Sequence, residues 1–157
     1  MNIFIDTEFT NFGYAELISI ALVADNNCQF YGELRPGFDF DPAGCSKFVN
    51  DVILKKLGRY PTCIYSIAEL RVAVRNWLHQ FCDEDVVICV EFYGDWDLLC
   101  HLLIEVPPRI QVRNVNHLID NLKKEYWLRE RFAGDDHHAL HDAICNQLAF
   151  CCDIPGR

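Results

Sequence analysis

Three short segments carry carboxylates at spacings that a fold could gather into one site. Asp6 and Glu8 stand two residues apart at the end of the apolar run Ile3-Phe4-Ile5. In a strand that spacing turns both side chains to the same face. Two like charges side by side are costly to bury unless a cation lies between them. The pair therefore suits a divalent ion, although Asp-x-Glu alone fits equally a strand that simply runs out into solvent. The second segment, Tyr93-Gly-Asp-Trp-Asp97, follows a buried apolar run and enters a helix, the kind of strand end where α/β sheets place ligands. Asp95 fits a helix N-cap. Asp97 falls in the first turn, where an acid either faces a ligand or complements the helix dipole. The third, Asp136-His-His-Ala-Leu-His-Asp142, sets Asp142 in an amphipathic helix that can carry it against Asp6. His137 and His141, four apart, have zinc-ligand spacing, but no Glu lies between them and no further ligand is obvious.

The elements that must position these acids can be read from the hydrophobic pattern. Residues 2–6 form a short buried strand ending in a carboxylate, and Phe12-Gly13-Tyr14 a turn. Residues 16–24 read as a central strand, 25–27 as a turn and 28–34 as a third strand paired back on the second, a β-meander. Residues 35–44, rich in Pro, Gly and Asp, form a loop. Phe48, Val49, Val52, Ile53 and Leu57 have helical spacing, ended by Tyr60-Pro61. Ser66-Ile-Ala-Glu69 is a capping box, and apolar residues recur from Ile67 to Phe81 at helical intervals. Val86–Val90 has the continuous apolar character of a buried parallel strand. Gly94-Asp95 opens a helix that Pro107-Pro108 stops, and residues 110–115 form a last strand. Residues 116–127 are helical, a charged connector follows, and a final helix spans 138–152, including the vicinal Cys151 and Cys152. A hairpin-rich opening followed by β-α units predicts an α/β domain with a mixed sheet and flanking helices.

Composition narrows the setting. The 157 residues, 51% of them hydrophobic, suffice for one domain with a packed core. No run reaches the roughly 18 apolar residues of a transmembrane span, and the N-terminus lacks a signal-peptide pattern. Nine cysteines, an odd number with no C-x-x-C pair, suggest reduced thiols in a cytoplasm rather than a disulfide framework or a zinc knuckle. The net charge of −9 argues against avid nonspecific binding of long nucleic acid, which relies on a basic surface. An acidic protein acting on a polyanion needs cations at the point of contact, and clustered acids holding divalent ions supply them.

Taken in order, Phe4-Ile-Asp6-Thr-Glu8-Phe9, Trp96-Asp97 and His137-His-Ala-Leu-His-Asp142 resemble the DEDDh family of 3′→5′ exonucleases, which includes RNase T, oligoribonuclease and proofreading exonucleases. The likeness spans nearly the whole chain. Glu16-Leu-Ile-Ser-Ile and His-Ala-Leu-His-Asp-Ala are similar to the small stand-alone bacterial exoribonucleases of that family. The resemblance implies an RNase H-like fold, antiparallel in its first three strands. It selects Asp97 over Asp95, because the family's second Asp follows an aromatic residue. It also selects His137 over His138, which helix geometry alone places one turn from Asp142. The approach Glu91-Phe-Tyr-Gly-Asp-Trp departs from the Asn-rich approach of many relatives.

By that resemblance Asp6, Glu8, Asp97 and Asp142 hold two Mg²⁺ or Mn²⁺ ions, and His137 acts as general base. The ions stabilise the attacking and leaving oxygens of an in-line displacement. Thr7, Phe9 and Trp96 are the candidate contacts to the terminal nucleotide, although Phe9 and Trp96 also suit core packing. Lys123, Lys124, Arg129 and Arg131 form the densest basic cluster and can guide phosphates or simply be solvated. The expected partner is single-stranded RNA or a 3′ overhang, with RNA favoured over DNA and nucleoside 5′-monophosphates as products. No membrane partner is expected, and a homodimer is compatible. The alternatives are a DNA exonuclease of proofreading or repair type, a noncatalytic nucleic-acid-binding module, and a zinc protein or metal-dependent phosphatase using His137, His138 and His141.

Overall fold

Alternation at the start of the chain is realised as strand β1 (Asn2–Phe9), which buries Ile3 and Ile5 on one face and Phe4 on the other. The computed structural model describes residues 1–151. Strand β2 (Leu17–Ala24) is buried along its whole length, so both its faces must be covered. It runs antiparallel to β1, with Ile3 opposite Ala24 and Thr7 opposite Ile20. The Asp25–Asn27 turn, with Asn27 at φ 65°, leads into β3 (Gln29–Leu34), which closes the expected meander. A positive φ is a conformation that Asn tolerates better than most residues.

The chain then crosses the sheet edge through β4 (Ile64–Tyr65), parallel to β3, and enters helix α1 (Ile67–His79). The capping box is formed: Ser66 accepts from the Glu69 backbone N–H, and Glu69 accepts from that of Ser66. Strand β5 (Val86–Val90) lies parallel to β1, α2 (Tyr93–Leu103) follows, and β6 (Ile110–Asn114) lies parallel to β5. Helices α3 (Asn121–Phe132) and α4 (Ala139–Ala149) complete the described chain. The six-stranded sheet has the order β4-β3-β2-β1-β5-β6, and β2 alone runs against the rest. The protein is thus α/β with a mixed sheet.

Helices α1 and α2 cover one face of the sheet, where Leu70, Val74, Leu99 and Leu103 pack with Ile3, Ile5, Ile20 and Leu22. A fully buried side chain of this size contributes roughly 1.5–3 kcal/mol. Gly32 admits α1 to close range, because a Cβ there would lie 2.4 Å from Leu70. Helix α4 covers the opposite face, with Ala139, Ala143 and Ile144 on Ala21, Val23 and Tyr31.

Three expectations from the sequence are corrected. The apolar face at 48–57 forms a wide π-type turn at Val49–Ile53 and then a 3-10 turn at Leu54–Lys56, not a regular helix. Val49 and Ile53 are buried while Phe48 stays exposed. Helix α3 begins at Asn121, because the Asp120 carboxylate caps the N–H groups of Leu122 and Lys123, and it runs on to Phe132, into the expected charged connector. The last helix ends at Ala149, and Cys151 lies beyond it; Cys152 is outside the described residues. Among the described residues no helix is long and apolar enough to cross a membrane, and the cysteines are free.

Candidate metal centre

Because β1 and β5 are parallel neighbours, their C-terminal ends open on the same edge of the sheet. Asp6 and Glu8 share the face of β1 that also carries Phe4, and α4 packs over that face. Asp142 lies in the first turn of α4, where its carboxylate accepts from the His138 backbone N–H at 3.1 Å. Carboxylate oxygens of Asp6, Glu8 and Asp142 all lie within 4.8 Å of one another. A fourth acid approaches from α2. It is Asp95, only 5% exposed, accepting from the Thr7 hydroxyl at 2.6 Å.

The electrostatics record how crowded these acids are. Burial, and then the charges of Asp95, Asp142 and Glu8, hold the Asp6 pKa well above the ordinary carboxylate range. Burial and then Asp142 push Glu8 up to about 8. Burial raises Asp95 to about 6 against the opposing hydrogen bond from Thr7. It also raises Asp142, against the opposing charge of Lys124. Two lysines border the site, but each ammonium is engaged elsewhere. Lys124 pairs with Glu91, and Lys56 pairs with Asp135 at 2.9 Å. Asp6, Glu8 and Asp142, with no cation of their own, form an all-oxygen donor set, the type that suits a hard divalent ion such as Mg²⁺ or Mn²⁺.

The residues expected from the sequence fall into two groups. Asp6, Glu8 and Asp142 come together. Asp97 does not join them: it is exposed, on the wall of a separate pocket with Phe9 and Phe92. At 3.6 residues per turn, two residues along a helix point in nearly opposite directions, so only one of Asp95 and Asp97 can face β1. Phe92 occupies the N-cap position, which leaves Asp95 inside the first turn and free to turn inward.

His137 adopts φ 52°, just before α4, and its half-exposed ring meets Phe48 at 4.9 Å and Asp136 at 3.4 Å. It lies close enough to Asp142 for its charge to lower the pKa of that carboxyl. His138 is buried between Tyr31 at 4.9 Å and His141 at 4.2 Å, and neither ring nitrogen has a hydrogen-bond partner. Burial first, and then His141, push its pKa down to about 4. His141 stacks on Phe132 and directs Nδ1 to the Asp135 carbonyl. No zinc cluster forms from these histidines: among the described residues, the acid triad is the group of three or more metal-capable side chains that converges.

Thr7 is buried, and its hydroxyl donates to Asp95. Trp96 packs against the main core, while Phe9 reaches the pocket. Of the basic cluster, Lys124 borders the acids. Arg129 pairs with Glu125, and Arg131 lies over Trp127. Sequence reasoning missed Lys56, which gave no local signal because its partners Asp135 and Asp136 are distant in the chain. No protein-family model and no curated protein matches this chain.

Proposed function

We propose that this protein is a divalent-metal-dependent 3′→5′ exonuclease of the DEDDh type, acting on single-stranded RNA or 3′ overhangs. The observation that carries the reading is the meeting of Asp6, Glu8 and Asp142 within 4.8 Å on a strand and a helix far apart in sequence, with Asp95 on a third element near enough for its charge to raise the Asp6 pKa. The order β3-β2-β1-β5-β6, with β2 reversed, supports an RNase H-like architecture.

In this proposal Asp6, Glu8, Asp95 and Asp142 hold the ions, and Asp95 takes the part first given to Asp97. When bound, the ions supply charge stabilisation for the attacking and leaving oxygens of an in-line phosphodiester displacement. Thr7 fixes the Asp95 carboxylate, and the His138 backbone N–H fixes that of Asp142. His137, at the exposed rim beside Asp142, takes the proton of the attacking water, a task suited to an imidazole near neutrality. Its backbone is left-handed at φ 52°, and such strain often gathers at functional positions.

A 3′-end degradation assay on matched single-stranded RNA and DNA, with Mg²⁺ or Mn²⁺ and with EDTA, tests the reading. Stepwise release of 5′-monophosphates that EDTA stops is expected, faster on RNA. Asp6→Asn, Asp95→Asn and Asp142→Asn abolish it with the fold intact, and Asp95→Asn costs more than Asp97→Asn. His137→Ala costs about 10²-fold or more, and His138→Ala far less. Full turnover by a folded Asp6→Asn or Asp142→Asn variant sinks the site. Preference for DNA would recast the protein as a DNA exonuclease.

A further inference from the structure

Three of the five residues from Ala133 to His137 have left-handed backbones: Ala133 at φ 53°, Gly134 at 77° and His137 at 52°. Only glycine adopts that region freely, so such a connection keeps one shape only where its surroundings hold it. The hold comes from the irregular turns at residues 48–59, about eighty residues earlier in the chain. Lys56 pairs with the Asp135 carboxylate at 2.9 Å and donates to the Asp136 carbonyl. Arg59 pairs with the other carboxylate oxygen of Asp135, and His141 Nδ1 lies 3.1 Å from the carbonyl of the same residue. Asp136 in turn reaches His137 Nε2 at 3.4 Å, and Phe48 meets the His137 ring edge to face. The side chains of Lys56 and Asp135 are only 14% and 23% exposed. Solvent therefore screens their pairing less than that of the open pair Lys47–Asp51 in the same segment.

We infer that Lys56 is a positioning residue: through Asp135 and Asp136 it fastens the 133–137 connection and fixes where the His137 imidazole sits. The inference rests on the exonuclease reading, which gives that imidazole its proton-transfer task, and adds what aims it. A half-exposed ring gains little fixity from burial, so its place is set by the backbone that carries it. A general base works only within hydrogen-bond reach of the proton it removes, and a misplacement of about 1 Å can cost roughly 10²-fold. An ammonium carries several donors, which lets Lys56 serve Asp135 and Asp136 together. Methionine in its place keeps the apolar stem and loses every donor. Lys56 thus acts through the loop and not on the substrate, unlike a lysine that neutralises phosphate.

The test compares Lys56→Met, Asp135→Asn and Lys56→Arg in the full chain, alone and with His137→Ala, in steady-state degradation of single-stranded RNA with Mg²⁺. Lys56→Met and Asp135→Asn are each expected to lower kcat about tenfold or more with KM unchanged. Neither should cost anything further once His137 is replaced by Ala, because the two changes then act on one step. Lys56→Arg, which keeps the charge and the donors, restores most of kcat. A raised KM with kcat intact makes Lys56 a phosphate contact and overturns the inference, as does a full additional loss in the His137→Ala background. A second readout needs no turnover: imidazole NMR in EDTA, with the His137 signal assigned by its absence from His137→Ala. Lys56→Met and Asp135→Asn are expected to shift and broaden that signal and to leave the signal of His79 in place. An unmoved His137 signal in either folded variant overturns the inference whatever the kinetics. A signal that moves in a protein without metal-dependent turnover removes the exonuclease reading and keeps the fastening; native turnover with an unmoved signal does the reverse.

Discussion

Replacing Glu8 by Gln should make the metal-free protein more stable, and only at high pH. The folded-state pKa of Glu8 is raised from an ordinary 4.5 to about 8, by burial first and then by Asp142. Between those values the native protein keeps a proton that the unfolded chain has released, so each rise in pH draws the equilibrium towards unfolding. The penalty is absent below about pH 4.5 and complete above about pH 8. A shift of that size corresponds to at most about 5 kcal/mol. Relaxation around a partly buried group leaves roughly half, about 2–3 kcal/mol. For a domain of this size that is about 5–10 °C in Tm. Thermal unfolding followed by circular dichroism in EDTA, from pH 4.5 to 8.5, gives the measurement. The two proteins should melt together at the acid end and separate as pH rises, the variant melting higher. Millimolar Mg²⁺ should then raise the native Tm at pH 8 and move the variant much less, since ion binding stabilises only a competent site. Parallel melting curves across the whole range in EDTA would refute the reasoning, because Glu8 would then not be carrying a repulsive charge.

His138 predicts the opposite slope. Its pKa is pushed down to about 4 from an ordinary 6.5, so stability is intact above pH 6.5 and is lost as pH falls towards 4, by at most about 3 kcal/mol. His138→Leu should flatten that acid limb in the same melts, and an unchanged limb would move the titration to another group. Ile104 ends α2 at φ 66° with its side chain 73% exposed, a conformation that costs a β-branched residue roughly 1–2 kcal/mol. Ile104→Gly should therefore raise the urea midpoint by an amount equivalent to about 1 kcal/mol, and a lower midpoint would show that the turn is not strained.

The parts of the fold legible in the sequence were those with a local cause. The meander showed in the apolar runs and the Asp25–Asn27 turn, and α1 in its capping box. Strand β4 was hidden because two residues leave no period, and their pairing partner in β3 lies about thirty residues earlier. Helix α3 was placed early because Asn116 to Ile119 look helical, yet Asp120 caps the next turn instead. In the site, strand geometry put Asp6 and Glu8 on one face, but only the ordered set of three motifs singled them out from a solvated strand end. Asp95 was missed, because whether it caps α2 or turns inward depends on which residue the helix starts from, and the neighbouring aromatic pointed to Asp97. The enclosure of His138 was equally illegible, since Tyr31 stacks on it from a strand at the other end of the chain.

The bond between Asp142 and the His138 N–H completes a cluster whose first member is residue 6 and whose last is residue 142. During synthesis β1 leaves the ribosome more than a hundred residues before α4. Contacts that join such distant segments form late, since the chain between them must first be ordered. Until α4 docks, Asp6 and Glu8 sit on an uncovered strand without a third ligand. The acid triad is therefore incomplete until the sheet is covered, so any chemistry it performs waits on that late docking.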